Sequence, residues 1–121
     1  MELVYFFMLL LKHSIADIGI QRHLGWMGKQ NYKSKKAQLH YVSHGIGTFL
    51  ILIPSGLVPA VLASLVDWIA HWHIDYAKSK ANNHFELSQS NIAYWWLLTL
   101  DQLLHYLTYL VIVVLFVYHT P

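Results

Sequence analysis

Three ionisable residues spaced by fours, Asp67, His71 and Asp75, stand inside the oily stretch "LASLVDWIAHWHIDYAKSK" (62–80). The same spacing joins His13 to Asp17, His40 to His44 and Asp101 to His105, so each of four apolar segments carries at least one pair. Residues four apart share one face of a helix. Random scattering of as many His, Asp and Glu over a chain of this length would give about two such pairs; the sequence has five. Imidazoles and carboxylates projecting inward from facing helices are the donor set of bundle-core metal sites. An ion held there would lower the pKa of a bound water toward neutrality and supply a nucleophile. Without an ion, the same residues would form a His–Asp hydrogen-bond network lining a proton or ion path.

The metal reading assigns His13, His44, His71, Asp75, Asp101 and His105 as ligands of one or two ions. Asp17 or Asp67 would act as general base, or would fix the tautomer of a ligating histidine. Lys78, with Lys29, would draw in a phosphate. The chain has no cysteine. Disulfides and thiolate sites are therefore excluded, and a His and carboxylate set suits zinc, iron or manganese without choosing among them. His40 and His44 are alternatives for the histidine of the second segment. Lys12 is a lone cation deep in the first segment, either snorkelling or facing a carboxylate.

The elements that must position these residues are helices. The chain has 121 residues, enough for a single small domain. It is 56% hydrophobic and 12% charged, against about 25% charged in ordinary soluble proteins. Its net charge of +2 gives no reason to expect a nucleic-acid partner. Four apolar stretches, at about 1–21, 38–53, 57–78 and 91–119, predict an all-α, four-span transmembrane bundle with the His/Asp cluster in its core. Pro54, Ser55 and Gly56 break the charge-free run from Gly45 to Val66 into a helical hairpin, with Pro59 in the first turn of the next helix. No signal-peptide cleavage pattern follows the first apolar stretch, which runs into Lys12, His13 and Asp17. A soluble bundle would need polar outer faces, and "YLTYLVIVVLFVY" (106–118) has none.

Seven of the eight basic residues fall after the first span or after the third. The positive-inside rule makes that side cytoplasmic and leaves both termini outside. Asp17, Asp67, Asp75 and Asp101 all lie within the apolar segments. Each uncompensated Asp at a span centre costs about 2.5–3.5 kcal/mol. Four would cost on the order of 10 kcal/mol, comparable to the stability of a whole domain, so they must pair or bind an ion. At the helical rise, Asp17, His44 and His71 lie roughly 5–15 Å from the cytoplasmic ends of their helices, with Asp101 and His105 at about 15–20 Å. One cluster in the cytoplasmic half of the bilayer accommodates them all.

Other residues have plainer roles. His73 points away from His71 and Asp75 and is expected at an interface or in packing. His23, His84 and His119 are loop or terminal residues. Trp26, Trp72, Trp95 and Trp96 fall near span ends, where indoles anchor helices. The run "KSKK" (33–36) is an orientation signal.

The arrangement "KHSIADIGIQ", Lys29, "HYVSHG", "HWHIDYAKSK" and "LDQLLHYL" resembles the domain of unknown function 3307 family. That resemblance implies a small membrane protein of bacteria or their phages, with an inner-membrane, multi-pass location. The family pattern maps onto His13, Asp17 and Gln21; Lys29; His40 or His44; His71, Asp75 and Lys78; and Asp101, Gln102 and His105. Asp67 and His73 lie outside it. The chain is more weakly similar to membrane-bound metal-dependent hydrolases.

Two functions follow as expectations. One is a metal-dependent hydrolase acting on a lipid or lipid-linked phosphate near the cytoplasmic face; a di-iron oxidative centre would use the same residues. The other is a non-enzymatic membrane protein with a metal-free polar network: a small channel, a holin-like product or an inhibitor of a host complex. The bilayer is the expected partner, and such a bundle could also form a homo-oligomer.

Overall fold

A computed structural model describes residues 1–20 and 31–118; Gln21, Arg22, His23, Trp26, Lys29 and His119 lie outside the described residues. Four helices account for nearly all of them. Helix α1 spans Glu2–Ile15 and continues as a π-helical turn, Ala16–Ile20. Helix α2 spans Lys35–Leu52, α3 Leu57–His84 and α4 Ile92–Val113, the last continuing as a π-helix over Val114–Tyr118. No strand occurs among the described residues.

Local chemistry sets the boundaries. Ser34 is the N-cap of α2, its Oγ accepting the Ala37 N–H at 3.3 Å. That bond satisfies a helix-terminal donor and starts α2 three residues before the apolar pattern does. At its other end α2 tightens into a 3-10 turn, Ile53–Ser55, where Pro54 contributes no N–H. Gly56 then reverses the chain at φ 120°, a conformation that disfavours any side chain. Pro59 sits in the first turn of α3, where a missing N–H costs nothing. Helix α3 runs on past the expected limit at 78 to His84, because "AKSKANNH" holds no breaker.

The helices form an antiparallel ring in which α1 packs on α2 and α4, and α3 packs on α2 and α4. Tyr5 and Leu9, Leu52, Ala60 and Ala63, and Tyr109, Ile112 and Val113 make an apolar plug at one end of the bundle. The outward positions are apolar too. Leu3, Phe7, Ile18, Leu50, Leu57, Trp96 and Leu115 are all exposed. Two helices, Leu57–His84 and Ile92–Tyr118, are long and apolar enough to cross a membrane. The first two fall short of the same measure among the described residues. Helix α1 is brief, and α2 opens on the polar "KKAQLH".

Helix α2 approaches α3 closely at Gly45, where an added Cβ would lie 3.0 Å from the Ser64 carbonyl oxygen and 3.3 Å from Trp68 Cβ. A leucine there must push the helices apart. Gly45→Leu is expected to lower the unfolding free energy by about 1–3 kcal/mol, the usual penalty for overpacking. Thermal unfolding in detergent measures it; an unchanged midpoint would mean that the helices are not this close.

Candidate functional site

Each helix contributes one column of residues spaced by fours. The columns are Tyr5–Leu9–His13–Asp17, His40–His44–Thr48–Leu52, Ala63–Asp67–His71–Asp75 and Asp101–His105–Tyr109–Val113. Every member is buried except Asp17, whose side chain is 25% exposed. Because neighbouring helices run antiparallel, the apolar ends of the columns meet at the plug. Their polar ends meet in one cluster toward the other end.

That cluster holds five histidines, His13, His40, His44, His71 and His105, none more than 2% exposed. Each directs Nε2 at a carboxylate. Asp17 Oδ2 lies 3.1 Å from His13 Nε2. Asp17 Oδ1 lies 3.1 Å from His44 Nε2, 3.4 Å from His40 and 3.8 Å from His71. Asp75 faces His105 at 3.1 Å, His71 at 3.5 Å and His40 at 3.9 Å. Asp101 Oδ1 lies 3.4 Å from His105. The imidazoles of His44, His71 and His105 stack in a row, with ring centroids 3.7 and 4.1 Å apart. His13 is tilted against these rings and His40 meets them edge-on, so five rings surround two shared carboxylates.

Three groups in this cluster have ligand atoms within 4.8 Å of one another and could hold a metal ion: His13, Asp17, His44 and His71; His40, His71 and Asp75; and Asp75, Asp101 and His105. Two observations test the fit. Metal–donor bonds of 2.0–2.2 Å imply tetrahedral ligand-to-ligand edges of roughly 3.3–3.6 Å. The separations of 3.1–3.9 Å bracket that range. Among the described residues, neither ring nitrogen of His40 or of His71 has a hydrogen-bond partner, although both rings are buried. Leaving such groups unpaired costs about 1–3 kcal/mol each. An ion would engage one nitrogen of each ring, the Nε2 that faces the carboxylates.

A second polar layer separates the cluster from the plug. Lys12 Nζ donates to Asp67 Oδ2 at 2.6 Å, and the Thr48 hydroxyl donates to the same oxygen at 2.5 Å. Lys12 Nζ also lies 3.4 Å from the Tyr109 hydroxyl and from His44 Nδ1. The Tyr109 hydroxyl is 2.7 Å from His13 Nδ1. Two of the clustered histidines are therefore held from behind, by Tyr109 and by Lys12. The Lys12 stem reaches this layer by crossing Gly47, where a Cβ would stand 2.7 Å from Lys12 Cδ.

The structure brings together His13, Asp17, His44, His71, Asp75, Asp101 and His105, and adds His40, so that both alternatives for the second segment face the cluster. Asp67 stands apart, engaged by Lys12 and Thr48, and belongs to none of the three groups. Lys78 is not free to face a ligand: its Nζ pairs with Asp101 Oδ2 at 3.3 Å, and Gln102 Nε2 donates to the same oxygen at 3.0 Å. His73 is exposed, hydrogen-bonded to Tyr32 across 3.0 Å. Thr48 and Tyr109 are the residues of this layer that the spacing of His and Asp does not reveal. Each continues a column four residues beyond a histidine.

A helical bundle with apolar residues outside and a buried His/Asp centre inside is the class defined by this geometry. The chain belongs to the family described as "Protein of unknown function (DUF3307)", which matches residues 5–121 and so nearly the whole chain. No curated protein and no solved structure matches it.

Proposed function

We propose that the protein is a four-span membrane protein whose His/Asp centre binds divalent metal and hydrolyses a lipid or lipid-linked phosphate near the cytoplasmic face. The observation that carries the metal reading is the burial of His40 and His71 with no hydrogen-bond partner on either ring among the described residues, and with carboxylates at ligand-like distances. The membrane reading rests on an inverted surface. Large apolar side chains are exposed on all four helices, while His, Asp and Thr fill the interior. Water would penalise that arrangement and lipid favours it. It extends the span assignment to α1 and α2, which carry Leu3, Phe7, Leu39 and Leu50 outward.

The anionic substrate is inferred from charge. Lys33, Lys35 and Lys36 precede or open α2, and Lys78 and Lys80 lie in the last turns of α3, at the end of the bundle nearer the cluster. The positive-inside rule makes this end cytoplasmic and places both termini outside. A phosphate headgroup at that boundary would meet cations before reaching the centre. Asp17 is the most exposed carboxylate of the cluster and is the residue placed to take a proton from a bound water. Zinc, iron and manganese all suit the donor set. Lys78, by its pairing, orients Asp101 rather than capturing phosphate.

The test is release of inorganic phosphate from a long-chain lipid phosphate in mixed micelles. Activity is expected with the wild-type protein, to be lost on chelation, restored by one of the three metals, and reduced about 100-fold or more in Asp17→Asn, within the usual range for a general base. A chelator-insensitive or absent turnover across lipid phosphates would contradict the hydrolase reading. In that case the cluster would serve a non-enzymatic membrane protein.

A further inference from the structure

The two oxygens of Asp75 face different neighbours. Oδ1 lies 3.1 Å from His105 Nε2. Oδ2 lies 3.5 Å from His71 Nε2 and 3.9 Å from His40 Nε2. Two of the candidate ligand groups, His40–His71–Asp75 and Asp75–Asp101–His105, share no residue except this carboxylate. Five imidazoles and three carboxylates also exceed what one ion takes, since zinc accepts four ligands and the other candidates about six.

Each group carries its own unsatisfied polar atoms. Among the described residues, the ring nitrogens of His40 and His71 lack hydrogen-bond partners in the first, and Asp101 Oδ1 lacks one in the second. One ion at either place would leave the other buried atoms unpaired. Asp101 is supported from behind by Lys78 and Gln102 on Oδ2, which leaves Oδ1 turned toward His105 and Asp75. That is how an outer partner orients a ligating carboxylate.

We propose that the centre is binuclear, with Asp75 as the bridging carboxylate between one ion held by His40 and His71 and a second held by Asp101 and His105. His44, which falls in one candidate group with His71, completes the first site from α2, and Asp17 stays beside it as the base. This assignment rests on the metal reading above and sets its stoichiometry. Two ions about 3.5–4 Å apart clamp the attacking and leaving oxygens of a phosphoryl group. Their four positive charges outweigh three carboxylates, and Lys78 adds another. Such a centre favours a multiply charged anion over a neutral ester.

The experiment is elemental analysis of the full chain in detergent after loading with manganese(II) and, separately, zinc(II), with electron paramagnetic resonance of the manganese form. Two ions per chain are expected, with an exchange-coupled manganese signal. His105→Gln is expected to bind one ion and to give the six-line signal of an isolated manganese. Asp75→Asn is expected to lose the coupling. One ion per wild-type chain, with an uncoupled signal that His105→Gln leaves unchanged, would overturn the binuclear assignment and leave a mononuclear centre. No bound ion at all would overturn the metal reading itself, so the two failures are distinct. Helical circular dichroism of each variant separates ligand loss from misfolding, and the wild-type stoichiometry decides the proposal without any variant.

Discussion

Lys12→Met is expected to lower the unfolding free energy by about 3–5 kcal/mol, the cost of stripping one partner from a buried ion pair. The Lys12 and Asp67 side chains are 11% and 2% exposed, and their charged atoms are 2.6 Å apart. With the ammonium gone, Asp67 keeps only the Thr48 hydroxyl as a donor among the described residues. Its carboxylate must then stay charged in an apolar layer or take up a proton, and both are unfavourable. Replacing both partners by apolar residues of similar size removes the uncompensated charge. The double variant Lys12→Met, Asp67→Leu should therefore regain most of the loss. Unfolding titrations in detergent give all three values. A single variant as stable as the wild type would show that Lys12 does not pair with Asp67 but reaches out to the membrane boundary.

The second large effect belongs to His71. It lies in two of the three ligand groups, is 1% exposed, and stacks between His44 and His105. Removing even an outer partner of a metal ligand typically costs about 10–100-fold in affinity, so His71→Ala is expected to lose at least that much, and turnover with it. His73→Ala is the control. It removes the same side chain from the same helix, but His73 is exposed and binds Tyr32 instead of the cluster. Metal titration of both variants separates a specific centre from scattered histidine affinity. Equal losses at 71 and 73, or none at either, would speak against a built site.

Much of this arrangement was legible in the spacing of single residues. His13 and Asp17, or Asp101 and His105, stand four apart in segments too apolar to tolerate them alone, so convergence was forced by the cost of burial. The Pro54–Gly56 break named the hairpin, because its backbone needs a residue free to adopt positive φ. The position of Asp67 was not legible. It continues the His71 column, and periodicity alone placed it beside the ligands as a general base or outer partner. What separates it is depth: one turn before His71 on α3, it meets Lys12 from α1 and Thr48 from α2, contacts that arise only when helices pack. The pairing of Lys78 with Asp101 is hidden for the same reason, since it joins residues 23 positions apart. Thr48 and Tyr109 carried the four-residue signal all along, but an uncharged residue in an apolar helix raises no energetic alarm.

The measurement closest to the central claim is the metal content of the wild-type chain, purified from membranes in mild detergent without chelator. Elemental mass spectrometry would be run on it and on His71→Ala prepared identically. The buried His/Asp centre predicts stoichiometric zinc, iron or manganese in the wild type and little in the variant. A folded, metal-free wild type that also fails to take up any of the three ions on reconstitution would contradict it. The five histidines would then be read as a hydrogen-bonded path through the bundle.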